Sequence, residues 1–225
     1  ILVRHGRSTA NTAGVLAGRT LGVGLDEVGR EQAIVAAGRL RGVPVVQLVT
    51  SPLQRCRETT APFAEVTGLE PQTDDGLVEV DYGAWCGQKI SDLLQEPLWG
   101  TVQGHPSAAA FPDGESMAGM AARAAEAVRR RDAAITAEHG PDAVWVAVSH
   151  GDIIKAVLAD ALGLHLDLFQ RISVDPSSLS IVRYGKKRPT VLGMNTVAGD
   201  LSWLAGAHHA PVVGGGAGPD ARPLG

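Results

Sequence analysis

The chain has 225 residues, 44% apolar and 20% charged, with a formal net charge of −4. That length suits one domain with a substantial core, and the composition excludes wholesale disorder. The acidic balance leaves nucleic-acid binding to a local basic patch. The two candidates, Arg129-Arg130-Arg131 and Lys186-Lys187-Arg188, read as a solvated helix face and a hairpin turn, so no nucleic-acid partner is expected. Two cysteines, Cys56 and Cys86, without CxxC spacing, suggest neither a disulfide framework nor a structural zinc site, and a reducing cytoplasm is the expected setting. No apolar run reaches the ~18 residues that span a membrane, and nothing at the start resembles a signal peptide. The chain opens inside an apparent strand without a methionine, which leaves open a few missing upstream residues or a removed leader.

Ile1-Leu2-Val3 reads as a buried strand that stops at Arg4-His5-Gly6 and gives way to polar loop residues. Open α/β sheets place ligands at this carboxyl edge. A neutral imidazole beside a guanidinium suits attack on an anionic phosphorus centre, the arginine holding the oxygens and the histidine supplying the lone pair. Taken alone, these residues favour the plainer reading of a strand ending in solvated polar groups. Residues 7–24 form a long loop. From Asp26, the residues Val28, Ala33, Ile34, Ala37 and Leu40 recur at helical spacing, with Asp26 or Glu27 at the start and Gly42 to stop the helix. Val45 to Val49 is the second buried strand. Ser51-Pro52 then reads as a serine N-cap and a proline at the first helical position. Arg55 falls in that helix's first turn, where free backbone N–H groups favour an anion; a plain surface arginine is an equal reading.

Residues 66–89 are turn-rich, and Gly76 to Trp85 carries Glu79 and Asp81 either in a gate over a pocket or in a short edge strand. A short helix is expected over Ile90 to Leu98, a loop with His105 over Trp99 to Phe111, and a long alanine-rich helix from Met117 to Glu138 with its arginines outward. Ala143 to Val148 is a third apolar run. It ends in Ser149-His150-Gly151-Asp152 and continues into a helix over Ile153 to Leu162 closed by Gly163. A lone histidine is usually a half-buried polar residue; a second strand ending in His-Gly is the informative point. Leu179 to Tyr184 and Thr190 to Met194 read as an edge hairpin. Residues 1–204 are expected as one domain and 205–225 as a Gly/Ala/Pro-rich tail, whose His208 and His209 would chelate a metal only adventitiously. The alternation of strands and helices predicts an α/β fold with a mainly parallel sheet covered on both faces.

Four separated segments thus offer Arg4, His5, Arg55, Glu79 and His150, and here the sequence resembles the histidine phosphatase superfamily on its phosphoglycerate-mutase-like branch. The resemblance is carried in order by Arg4-His5-Gly6 with Ser8 and Asn11; Leu25, Gly29 and Gln32-Ala33; Ser51-Pro52-Leu53 with Arg55 and Thr59; Glu79 with Gly83, Trp85 and Gly87; Gly114-Glu115-Ser116; and Ser149-His150-Gly151. A three-residue Arg-His-Gly match is weak evidence, six ordered blocks are strong, and they span about residues 1–200. The resemblance implies a three-layer α/β/α sandwich with a mixed, mainly parallel central sheet. It implies that His5 attacks phosphorus and becomes a phosphohistidine, while Arg4, Arg55 and His150, with Asn11, bind the phosphoryl oxygens. Ser8 and Gly151 belong to the same binding loops. Glu79 would protonate the leaving oxygen and then help activate water. Asp81 is an alternative acid that spacing does not separate from it.

Phosphoryl transfer asks chiefly for positioning and electrostatic stabilisation, which fixed guanidinium donors supply without a metal or other cofactor. A glutamate carboxyl, which in water titrates near ~4.3, needs an apolar setting, or a mildly acidic optimum, to hold a proton for that role. Arg7 stands where the family often has an acidic or amide residue, and Cys86 where Trp-Glu-Gly is usual, which bears on substrate preference. The modest segment between Gly87 and Val144 favours hydrolysis of a small phosphomonoester over a mutase reaction, with Arg19 available for a second anion. A non-catalytic phospholigand-binding module ranks last because all five catalytic positions are filled. The apolar sheet edge with Trp85, Trp99 and Trp203 would suit a homodimer, although aromatic residues are as easily core.

Overall fold

The structure, a computed structural model, describes residues 1–199. The expected tail, with His208 and His209, lies outside the described residues, as does Trp203. Six strands, β1 (Leu2–Arg4), β2 (Val45–Thr50), β3 (Gln72–Thr73), β4 (Val144–Ser149), β5 (Leu179–Tyr184) and β6 (Pro189–Thr196), form one sheet in the order β3-β2-β4-β1-β5-β6. The first four run parallel; β5 is antiparallel to β1, and β6 to β5.

Strand alternation sends neighbouring residues to opposite faces. Val3, Leu48, Val146 and Val148 belong to one core cluster, packed with Ala36 and Ala37 of α2 (Glu27–Gly38) and Cys56 and Phe63 of α3 (Gln54–Thr67). Leu2, Val49, Trp145 and Ala147 belong to the other, with Met120 and Val128 of α6 (Met117–His139) and Ile153 and Val157 of α7 (Gly151–Leu162). Each fully buried large apolar side chain contributes about 1.5–3 kcal/mol. The result is the three-layer sandwich with a mixed, mainly parallel sheet. Trp85 is buried in this second cluster and stacks on Trp99.

Several local expectations are corrected. The loop over 7–24 contains a one-turn helix, α1 (Thr9–Ala13), capped by the Ser8 side chain. Helix α2 ends at Gly38, and Gly42 instead takes a left-handed turn four residues later. Helix α3 starts beyond Ser51-Pro52, with Leu53 at its N-cap and no side-chain cap. The helix expected over Ile90 to Leu98 is two, α4 (Ile90–Leu93) and α5 (Pro97–Gly104), so much of the expected 99–111 loop is helical. The acid-bearing segment is no strand; it runs between tight turns at Asp75–Leu77 and Gly83–Trp85.

The feature that makes the site is register. Parallel pairing sets Arg4 opposite Ser149, so the residues that follow each strand, His5 and His150, emerge side by side at the carboxyl edge.

Candidate active site

His5 leaves β1 with its amide donating to the Ser149 carbonyl at 2.9 Å. The sharp exit depends on Gly6, where a Cβ would collide with the Gly29 carbonyl, and on the Gly6 amide donating to Thr59 Oγ1 at 3.0 Å. His5 Nδ1–H donates to the Gly6 carbonyl at 2.7 Å, and Nε2 accepts from Arg55 Nε at 3.3 Å. A carbonyl can only accept, so Nδ1 carries the proton and Nε2 keeps its lone pair. Burial, Arg55 and Arg4 hold the ring's pKa well below its ordinary value. The imidazole is therefore neutral, as a nucleophile must be.

Arg55 lies in the first turn of α3, as expected, but is 2% exposed rather than a surface arginine. Its Nη2 donates to the Gly18 carbonyl at 2.8 Å and to His150 Nδ1 at 3.2 Å. Its Nη1 is buried without a hydrogen-bond partner among the described residues. Arg4, 1% exposed, is anchored through Nη1 to the Val174 carbonyl at 2.8 Å. His150 is the N-cap of α7 and fully buried, with Gly151 opening the helix behind it. Because Arg55 donates to Nδ1, the His150 proton sits on Nε2 and is donated to Ser51 Oγ at 2.7 Å. Ser51 thus serves the second histidine instead of capping α3. Burial, then Arg55 and His5, keep His150 neutral, with its pKa well below the usual value.

The Glu79 carboxylate lies 3.8 Å from His150 Nδ1, and since that ring is neutral the contact is not an ion pair. Glu79 is 3% exposed. Burial first, and repulsion from Asp152 second, raise its pKa to about 7, against the pull of Arg55, the Val80 amide and Arg4. Asp152 is itself fully buried, accepts from the Tyr82 hydroxyl at 2.9 Å and lies 3.4 Å from Lys155 Nζ. Asp81 points elsewhere: its Oδ1 accepts from the Gly83 amide, and its Oδ2 faces Arg19 at 3.6 Å. The turn between the two acids separates what an extended segment would not.

His5, Arg55 and Glu79 line one cleft with Ser8 and Asn11, beneath an apolar wall of Val15, Leu16 and Ile90; it encloses about 320 Å³, part of it open to solvent. Ser8 and Asn11 are reciprocally bonded in the capping box of α1. Arg19, the expected second-anion residue, directs its guanidinium to the acid segment, with Nε 2.9 Å from the Glu79 carbonyl and Nη2 3.0 Å from Glu115. Ser51 as a histidine partner and the buried Tyr82–Asp152–Lys155 group were not singled out by the sequence. An aspartate and a lysine three apart inside an apolar helix was the available signal. Among the described residues no group of three or more side chains is arranged to hold a metal ion, and no helix is long and apolar enough to cross a membrane.

The family model of the histidine phosphatase superfamily, branch 1, matches residues 1–197. The chain belongs to that superfamily. Among curated relatives, phosphoserine phosphatase 1 of Hydrogenobacter thermophilus is 30% identical over 93% of this chain and 98% of its own length. The 2,3-bisphosphoglycerate-dependent phosphoglycerate mutase of Thermoplasma acidophilum is 26% identical over 86% of this chain and 90% of its own. Among solved structures, a mycobacterial glucosyl-3-phosphoglycerate phosphatase in complex with VO3 is similar with a TM-score of 0.77 and 26% identity, over 86% of this chain and 97% of the other. This histidine phosphatase chain therefore has phosphatases and a mutase among its relatives.

Proposed function

We propose that the protein is a phosphomonoesterase that works through a phosphohistidine on His5. The observation that carries this reading is the buried Nη1 of Arg55, unpartnered among the described residues, beside a histidine nitrogen whose lone pair is free of a proton. A buried donor without a partner costs about 1–3 kcal/mol, and a phosphoryl oxygen bound there removes that cost.

The substrate phosphate seats against Arg55 and Arg4, with Asn11, Ser8 and the Gly151 end of α7 around it, while His150 holds Arg55 in place through Nδ1. Nε2 of His5 attacks phosphorus as the ester oxygen departs with the proton of Glu79. The Gly6 carbonyl, on Nδ1–H, stabilises the positive ring that forms. In the second half, Glu79, now a carboxylate, accepts a proton from the attacking water, and phosphate leaves His5 with its lone pair restored. Each step is balanced within these residues, the substrate and one water.

Relatives named as phosphatases support hydrolysis as the outcome, and their names suggest small phosphorylated metabolites as substrates. Residues 1–204 act as the catalytic domain in this reading, in the cytoplasm, without metal, nucleic acid or membrane, and as a homodimer if the β6 edge is shared. The test is turnover of p-nitrophenyl phosphate in excess chelator with His5→Ala alongside. Turnover that survives the chelator and is lost in the variant is expected; equal turnover in the variant refutes the nucleophile.

A further inference from the structure

We propose that Glu115 is the positioning residue that holds Glu79 in its working pose, an inference that rests on Glu79 being the proton donor. The acid segment, residues 76–81, belongs to no strand, so its backbone groups need partners from elsewhere. Arg123 Nη1 donates to the Gly76 and Val78 carbonyls at 3.0 and 2.9 Å, and Arg19 Nε to the Glu79 carbonyl at 2.9 Å. The Asp81 amide donates to Glu115 Oε1 at 2.9 Å. The same oxygen joins the two arginines, accepting from Arg19 Nη2 at 3.0 Å and Arg123 Nη2 at 2.7 Å. Backbone contacts lock the pair of segments further. The Glu115 amide donates to the Asp81 carbonyl at 2.9 Å, and a Cβ at Gly114 would collide with that carbonyl.

One carboxylate oxygen therefore takes three donors, and the two arginines it gathers lead back to the backbone just before Glu79 and to the Glu79 carbonyl itself. Charge-assisted bonds of this kind are about twice as strong as neutral ones. The Glu79 carboxyl has a single hydrogen bond among the described residues, from the Val80 amide to Oε1 at 3.0 Å. Its aim toward the cleft is inherited from the backbone that Glu115 organises. In this role Arg19 is a tether rather than an anion ligand.

The readout is dependence on the leaving group. An alkyl phosphate needs its departing oxygen protonated, whereas p-nitrophenolate leaves with little help. Phosphoenzyme formation is followed in single turnovers with both substrates for the intact protein, Glu79→Gln, Glu115→Ala, the double variant, and Arg19→Ala. Displacing an acid by about 1 Å costs on the order of 10²-fold, so Glu115→Ala is expected to slow alkyl phosphate roughly 10- to 100-fold while p-nitrophenyl phosphate slows far less and KM stays unchanged for both. The double variant is expected to be no slower than Glu79→Gln alone. Arg19→Ala, at a half-buried site, removes one arm and is expected to show the same pattern more weakly, even if Glu115→Ala does not fold. Equal slowing of both substrates, additive losses in the double variant, or a rise in KM on Arg19→Ala without leaving-group dependence would overturn the proposal. Absence of leaving-group dependence in Glu79→Gln itself would instead sink the acid assignment, so the two failures are distinguishable.

Discussion

The pH dependence of alkyl phosphate hydrolysis follows from one buried group, Glu79, and from the substrate's own ionisation. Glu79 titrates at about 7 against an ordinary value of 4.5, mainly because burial, reinforced by Asp152, disfavours its charge. At about 1.4 kcal/mol per pKa unit, ionising it in the site costs on the order of 3 kcal/mol more than in water. His5 is held well below 6.5, so the nucleophile stays neutral through the working range. The rise on the acid side then comes from the substrate's own second ionisation, near ~6. The fall on the alkaline side comes from Glu79. With a pKa of about 7, its protonated fraction drops from about nine-tenths at pH 6 to about one-tenth at pH 8, an order of magnitude in kcat/KM. Glu79→Gln is expected to lose about 10²- to 10⁴-fold in rate and to lose the alkaline limb with it. The assay is kcat/KM for an alkyl phosphate at constant ionic strength from pH 5 to 9. An alkaline limb that persists in Glu79→Gln would refute the reasoning.

Three further outcomes are expected. Arg55→Lys keeps the charge but loses the fork that reaches His5, Gly18 and His150, so steady-state kcat/KM for p-nitrophenyl phosphate should fall about 10²- to 10³-fold; a change under threefold would contradict the clamp. Because the folded-state pKa of Glu79 is raised, its burial destabilises the fold progressively as pH rises from about 4.5 to about 7, and the penalty is then constant. Glu79→Gln should therefore raise the melting temperature at pH 8 and leave it little changed at pH 4, as thermal unfolding at the two pH values would reveal. Cys56 is fully buried and its thiol is pushed up to about 12. Alkylating reagents should label Cys86 in the native protein and reach Cys56 only after unfolding, which peptide mapping can verify.

The legible parts of this architecture are those where one local cause acts alone. Strands β1, β2 and β4 read clearly because both of their faces are covered, so each appears as an apolar run, broken only by Gln47 in β2, that ends where the site begins. Helix α7 is legible at its close because Gly163 takes the left-handed conformation that only glycine adopts freely. Two-residue β3 carries no periodicity to read. Ser51 misleads as a cap because its hydroxyl serves His150 from 99 residues away, a demand that outweighs its local preference. Pro97 at the first position of α5 is the signal that a helix restarts there, with Gln95-Glu96 marking the break before it.

The site divides the same way. Arg4, His5, Arg55 and His150 stand out because strand and helix ends deliver them to one edge. Glu79 and Asp81 are not resolved by spacing because an extended backbone would aim them alike, whereas the turns around them aim one inward and the other at Arg19. The link among Arg19, Glu115 and Arg123 closes a loop 96 residues long, and no spacing rule announces it.

The central claim is that His5 carries the phosphoryl group between the two half-reactions. It is tested most directly by mixing the protein with a radiolabelled phosphate ester, quenching within a turnover, and mapping the label. One alkali-stable, acid-labile phosphoryl group per chain, on the peptide containing His5 and missing from His5→Ala, is the predicted result. A phosphorylated residue elsewhere, or rapid hydrolysis with no covalent intermediate, would contradict it.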